Sequence, residues 1–182
     1  MMRILCLGNE LLADDAFGLV AAEELRRRFP QMDVVFSTES GFHLLDYLGD
    51  IRLLVIVDSI QMGDVPPGTL HVMQGSDIKT TFGPSPHYVG LLETLQLAKS
   101  LLLNVPEEII ILAVEAADCL TLGGEMLLAV KSAVALVADL VDKIVQSWQP
   151  GSGYANGGCG QGLESAIATV AERWGSERIA VI

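Results

Sequence analysis

The sequence predicts a single-domain α/β protein, with a mostly parallel sheet between covering helices. Three observations carry that expectation. Short strand-like apolar runs alternate with longer amphipathic stretches over residues 3–147, the pattern of strands joined by helices. Residues 53–58 and 108–114 are each apolar apart from an acid at one end, as strands buried on both faces must be. Residues 6–18, Cys-Leu-Gly-Asn-Glu-Leu-Leu-Ala-Asp-Asp-Ala-Phe-Gly, leave a strand by a sharp turn and enter a helix. That turn belongs at the carboxyl edge of the sheet, where open α/β proteins keep their sites.

The elements follow in order. Residues 3–7 form the first strand, and Gly8 permits an abrupt exit from it. Asn9 hydrogen-bonds its own turn. Residues 15–29 carry Phe17, Val20, Ala21, Leu25 and Phe29 on one helical stripe, with Arg26, Arg27 and Arg28 at the negative end and Pro30 beyond. Asp14 and Asp15 stand at the start of this helix and admit two readings. Either Asp14 caps the helix while Asp15 complements its dipole, or one carboxylate caps and the other points out of the crevice as a ligand or acid/base. Residues 33–36 read as a second strand. Residues 41–48 read as a short helix closed by Gly49, in which His43 is a surface or capping residue.

Residues 53–58 are the central strand and deliver Asp58 to the same edge as Asp15. Gly63, Pro66, Pro67 and Gly68 make a loop, and residues 70–73 a short strand, edge or antiparallel. Pro84 and Pro86 stiffen a second loop that brings His87 to a helix start. The dipole there disfavours the imidazolium, so a neutral, coordinating imidazole suits the position. Residues 89–102 are a covering helix, 108–114 a second buried strand, and 122–146 the longest helix, apolar at steps of three and four.

From Gln149 the composition changes. Residues 150–162 contain six glycines in thirteen positions and read as a flexible linker; 163–174 suit a short amphipathic helix and 178–182 an extended end. The division expected is residues 1–148 as the α/β domain and 149–182 as linker and tail with no assigned chemistry.

Composition excludes several function classes. The net charge of −12, from 11 basic and 23 acidic residues, repels phosphate backbones and anionic lipid, so neither nucleic acid nor membrane is an expected partner. No apolar run approaches the roughly 18 residues needed to span a bilayer, and the start lacks the regions of a signal peptide; a cytoplasmic protein is expected. Cys6, Cys119 and Cys159 are too few and too far apart for a disulfide framework or a CxxC site. GxGxxG, the GK[ST] phosphate loop and HExxH are all absent. Ser59 has no evident base, Cys6 belongs inside a strand, and Cys119 lacks an activating context, so serine or cysteine protease chemistry is not expected.

Asp15, Asp58 and His87 therefore share one sheet edge. Two carboxylates and an imidazole suit Ni, Zn, Fe or Mn, although no two of them stand at a metal-motif spacing. Three segments, Leu7-Gly-Asn-Glu-Leu-Leu-Ala-Asp-Asp-Ala-Phe-Gly18, Val55-Ile-Val-Asp-Ser-Ile60 and Ser85-Pro-His-Tyr-Val-Gly90, resemble the maturation endopeptidases of nickel-iron hydrogenases. The likeness covers roughly residues 3–147.

It implies a twisted, mostly parallel sheet of about five strands sandwiched by helices. It also implies an endopeptidase that removes the C-terminal extension of the hydrogenase large-subunit precursor after nickel insertion. By motif position, Asp15, Asp58 and His87 fall on the family's nickel-contacting groups and are the expected catalytic and metal-contacting residues. Nickel arrives with the substrate and is not permanently bound. The partner expected is the [NiFe] hydrogenase large-subunit precursor, and a monomer satisfies this reading.

Two departures from the family stand out. Cys6 occupies a position where many members have glycine, and 37–41 keep only Gly41 of a glycine-rich turn. The alternative function is a nickel-checking chaperone that binds the loaded precursor without cutting it. Alanine at Asp15, Asp58 or His87 is expected to abolish processing and spare the fold, because all three are expected at a solvent-facing edge. Asp14 and His71 are expected to matter less.

Overall fold

A computed structural model describes residues 1–74, 91–148 and 158–182, with side chains from 94 and from 162 in the latter two stretches. Six strands, β1 (Met2–Leu7), β2 (Asp33–Ser37), β3 (Leu53–Ile60), β4 (Leu70–Gln74), β5 (Glu108–Glu115) and β6 (Ile179–Val181), form one sheet in the order β2-β1-β3-β5-β4-β6. β1, β2, β3 and β5 run parallel, β4 is antiparallel to β5, and β6 runs parallel to β4. The α/β class and the mostly parallel sheet are as expected, and the tail adds a sixth strand.

Every residue of β3 is buried, which requires cover on both faces. Leu53, Val55 and Val57 face a core shared with α1 (Phe17–Arg28), α3 (Leu128–Ser147) and α4 (Gly158–Trp174). Leu54, Ile56 and Ile60 face a second core with the 3-10 helix Gly41–Tyr47 and α2 (Leu91–Ser100). Strand alternation thus divides the helices between two layers. No helix among the described residues is long and apolar enough to cross a membrane.

Two elements differ from expectation. The first helix opens with a 3-10 turn, Ala13–Ala16, whose N-cap is Leu12, with no side-chain cap bond; Asp14 is therefore not a helix cap. The longest helix starts at Leu128 rather than near residue 122. Residues 118–127 instead cross to the first loop: Leu12 and Leu122 form an antiparallel bridge, and Gly123 donates its amide to the Leu11 carbonyl at 2.8 Å. Gly123 takes the left-handed conformation (φ 68°), which breaks the helical step from Leu122 to Met126 and Val130.

The tail folds back onto the domain. Helix α4 begins at Gly158, inside the glycine-rich stretch, and packs on α3. Asp139 of α3 gathers Trp174 Nε1 (2.8 Å), Arg173 Nη1 (2.8 Å) and Arg28 Nη1 of α1 (2.7 Å) around one carboxylate. Burial raises the Asp139 pKa, but the hydrogen bonds from Arg28 and Trp174 and the charges of both arginines outweigh it and hold the group below the usual carboxylate range.

Candidate active site

The strand order places β1 between β2 and β3, so the chain leaves β1 in one direction along the sheet and later returns on its other side. The crevice at the carboxyl ends of β1 and β3 is the topological switch point, the favoured ligand position in such folds. Glycines build it closely: a Cβ at Gly8 would collide with the Asp15 carbonyl oxygen, and one at Gly18 with that of Leu7. The start of the helix is therefore pressed against the end of β1, and Asn9 N–H donates to the Asp15 carbonyl at 3.1 Å.

Both candidate carboxylates arrive here and meet at one residue. The Ser59 hydroxyl donates to Asp15 Oδ1 at 2.9 Å, and the Ser59 amide donates to Asp58 Oδ1 at 2.7 Å. Alternation along β3 puts Ser59 on the α1/α3 side and Asp58 on the α2 side. The two acids thus reach the sheet end from opposite faces. Asp15 is 2% exposed and Asp58 fully buried, which corrects the expectation of a solvent-facing edge. Burial strengthens any electrostatic contact made there, because little water screens it.

Cys119, in the loop after β5, completes this corner: its Sγ lies 3.8 Å from Ser59 Oγ. Burial pushes the thiol up to about 12, and the charges of Asp15, Asp14 and Asp58 push the same way against the Ser59 hydrogen bond. Cys6 is likewise raised to about 12, mainly by burial. Neither sulfur is a thiolate at neutral pH, so neither is a nucleophile of the usual kind. The Ser59 hydroxyl donates its hydrogen bond to a carboxylate, and among the described residues no imidazole takes that place.

The structure gives Asp14 a different task from its neighbour. Its Oδ2 accepts the amides of Ala117 (2.8 Å) and Asp118 (3.0 Å), its Oδ1 accepts that of Leu127 (2.7 Å), and its own amide donates to the Asp118 carbonyl (2.8 Å). One buried carboxylate thus ties both ends of the 117–127 loop to the first turn. His71 is equally fixed. It is 2% exposed and its Nε2 lies 2.9 Å from Oε2 of Glu115, whose Oε1 accepts the amides of Met62 (2.9 Å) and Gly63 (2.6 Å). Asp14 and His71 are thus both held in place by buried hydrogen bonds that join separate segments.

Glu115 and Ser59 are residues that sequence reasoning missed. Glu115 had a signal, an acid closing an apolar strand just as Asp58 does. The role of Ser59 had none, since it depends on how β3 aligns with the first loop. His87 lies outside the described residues. Among the described residues, no group of three or more His, Cys, Asp or Glu side chains is arranged to hold a metal ion.

A family model described as hydrogenase maturation protease matches residues 20–144. The chain belongs to the hydrogenase maturation protease family. It is 28% identical over 151 residues to the hydrogenase expression/formation protein HupD of Bradyrhizobium diazoefficiens, covering 80% of this chain and 78% of that protein. It is 35% identical over 101 residues to the hydrogenase 2 maturation protease of Escherichia coli, covering 52% and 62%. The fold superposes on the [NiFe] hydrogenase maturation protease HybD from Thermococcus kodakarensis with a TM-score of 0.64 and 27% identity, over 79% of this chain and 97% of that one. This maturation protease is a peptidase, and its switch-point crevice is the place to look for the chemistry.

Proposed function

We propose that this maturation protease removes the C-terminal extension of a nickel-loaded [NiFe] hydrogenase large-subunit precursor, engaging the substrate's nickel through Asp15, Asp58 and His87. The observation that carries the reading is that two buried carboxylates, Asp15 and Asp58, both hydrogen-bond Ser59 at the switch point, Asp58 to the amide of its own neighbour. Anionic oxygens in a crevice with little water attract a divalent cation strongly, and the mixed oxygen and imidazole set suits nickel.

The course of α2 supports including His87. Near the C-terminal end of that helix, Ala98 and Leu103 line a cavity with Leu48 and Asp50, and Asn104 donates to Asp50 at 3.0 Å. Asp50 precedes β3, so α2 ends at the edge where β3 begins and points its start toward the edge where Asp58 sits. His87 is four residues ahead of Leu91, where α2 starts.

In this reading, the ion held by the precursor's own ligands completes its shell with the three side chains, and the scissile bond is fixed in register with them. The ion then polarises the carbonyl or an attacking water. An unloaded precursor offers nothing for the carboxylates to grip, so cleavage is expected only after nickel insertion.

Incubation with nickel-loaded and nickel-free precursor, followed by intact mass, tests the proposal. Loss of the extension from the loaded form alone is expected. Cleavage of both forms equally would overturn nickel recognition, and tight binding without cleavage would make the protein a nickel-checking chaperone.

A further inference from the structure

We infer that the leucines of the two loops bordering the crevice form a docking ledge for an apolar, acid-poor stretch of the polypeptide substrate beside the bond that is cut. The inference rests on the reading of Asp15 and Asp58 as the site. Leu11, Leu120 and Leu122 are 59%, 83% and 74% exposed. Large apolar side chains gathered on a surface mark interaction sites more often than chance exposure does. Here they belong to two segments that the chain holds together: the Leu12–Leu122 bridge, the Gly123 amide on the Leu11 carbonyl and the Ala13 amide on the Thr121 carbonyl at 3.2 Å.

The ledge is continuous with the chemistry. Leu120 directly follows Cys119, whose sulfur contacts the Ser59 hydroxyl that holds Asp15. A polypeptide presenting its bond to those carboxylates must run over one of the neighbouring loops. The ledge is also built before any partner arrives, because Asp14 spends its whole carboxylate on the amides of Ala117, Asp118 and Leu127. A surface held in place in this way loses little conformational freedom on binding.

Charge narrows the occupant. Residues 9–13 and 116–128 contain Glu10, Asp118 and Glu125 and no basic residue, in a protein of net charge −12. An acidic segment would be repelled, whereas an apolar one, neutral or flanked by basic residues, fits. A second copy of this chain, equally acidic, fits less well.

The molecule supplies its own control. Leu101, Leu102 and Leu103 are also exposed, Leu102 at 92%, but they follow α2 at the opposite edge of the sheet, where β3 begins.

The test measures kcat and KM on the nickel-loaded precursor that the unmodified protein cleaves, with melting temperature and oligomeric state in parallel. In the double variant L120S/L122S, KM is expected to rise tenfold or more, with kcat within twofold and melting unchanged, while Leu102→Ser leaves all of these as they were. An unchanged KM in the double variant, or an equal rise in Leu102→Ser, overturns the ledge. So does a dimer of the unmodified protein that the double variant dissociates. Asp15→Ala separates this from the site reading. If it processes normally while L120S/L122S still raises KM, the carboxylate assignment fails and the ledge stands.

Discussion

Replacing Asp14 by Ala should unfold the protein far more readily than replacing its neighbour Asp15, although only Asp15 is assigned to the reaction. Asp14 is 1% exposed and accepts three backbone amides at 2.7–3.0 Å. Net contributions of about 1.5–3 kcal/mol per hydrogen bond to a charged group apply where both partners are buried. The donors lie on a partly exposed loop, so water recovers part of each, and the total expected loss is about 3–5 kcal/mol. That is a large fraction of the roughly 5–15 kcal/mol that holds a typical domain together. With a urea slope of about 2 kcal/mol/M, the denaturation midpoint should fall by about 2 M.

Asp14→Asn keeps one acceptor oxygen and should recover about half of that loss. Asp15→Ala should abolish processing while its midpoint stays within about 0.5 M of the unmodified protein. It removes the acceptor of the Ser59 hydroxyl, which still has the Cys119 sulfur beside it. Urea titration by circular dichroism, with processing measured on the same samples, reads both quantities. An unchanged midpoint in Asp14→Ala would refute the anchoring argument, and a loss of several kcal/mol in Asp15→Ala would refute the division of labour.

Three other changes probe separate parts of the structure. Ser59→Ala frees the Asp15 carboxylate from its 2.9 Å contact and should lower kcat about tenfold with KM nearly unchanged, as expected when a positioning hydrogen bond is lost; Ser59→Thr should restore part of it. Cys6 and Cys119, both raised to about 12, should resist iodoacetamide at pH 8 in the folded protein and react once it is unfolded, and Cys119→Ala should still process precursor. Peptide mapping distinguishes them from Cys159. Asp139 has a lowered folded pKa, so its contribution is fully present above the ordinary carboxylate value near ~3.9 and disappears as pH falls through the folded value. Helix α4 should therefore undock below about pH 4, reported by Trp174 fluorescence, and in Asp139→Asn this acid dependence should vanish.

The parallel core was legible because it had to be written in apolar residues. β3 and β5 are covered on both faces, so their runs cannot alternate, and the acids ending them mark the sheet edge. The 118–127 loop was not legible, because Leu122, Met126 and Val130 keep helical spacing while the forces that shape it come from elsewhere in the chain. Asp14 holds Leu127 from more than a hundred positions away, and Gly123 turns left-handed. Strand β6 spans three residues at a sheet edge, too short to carry a pattern of its own, and the glycines before it read as linker although α4 starts among them. Asp15 and Asp58 could be brought to one edge by counting strands. Their burial and their meeting at Ser59 required the register.

The claim on which the rest depends is that Asp15, Asp58 and His87 act on one nickel ion brought by the substrate. Intact-mass analysis of nickel-loaded precursor after incubation with Asp15→Ala, Asp58→Ala and His87→Ala, each shown to be folded, tests it most directly. The account predicts that the unmodified protein removes the extension and that each variant leaves it in place. Normal removal by all three variants would contradict it.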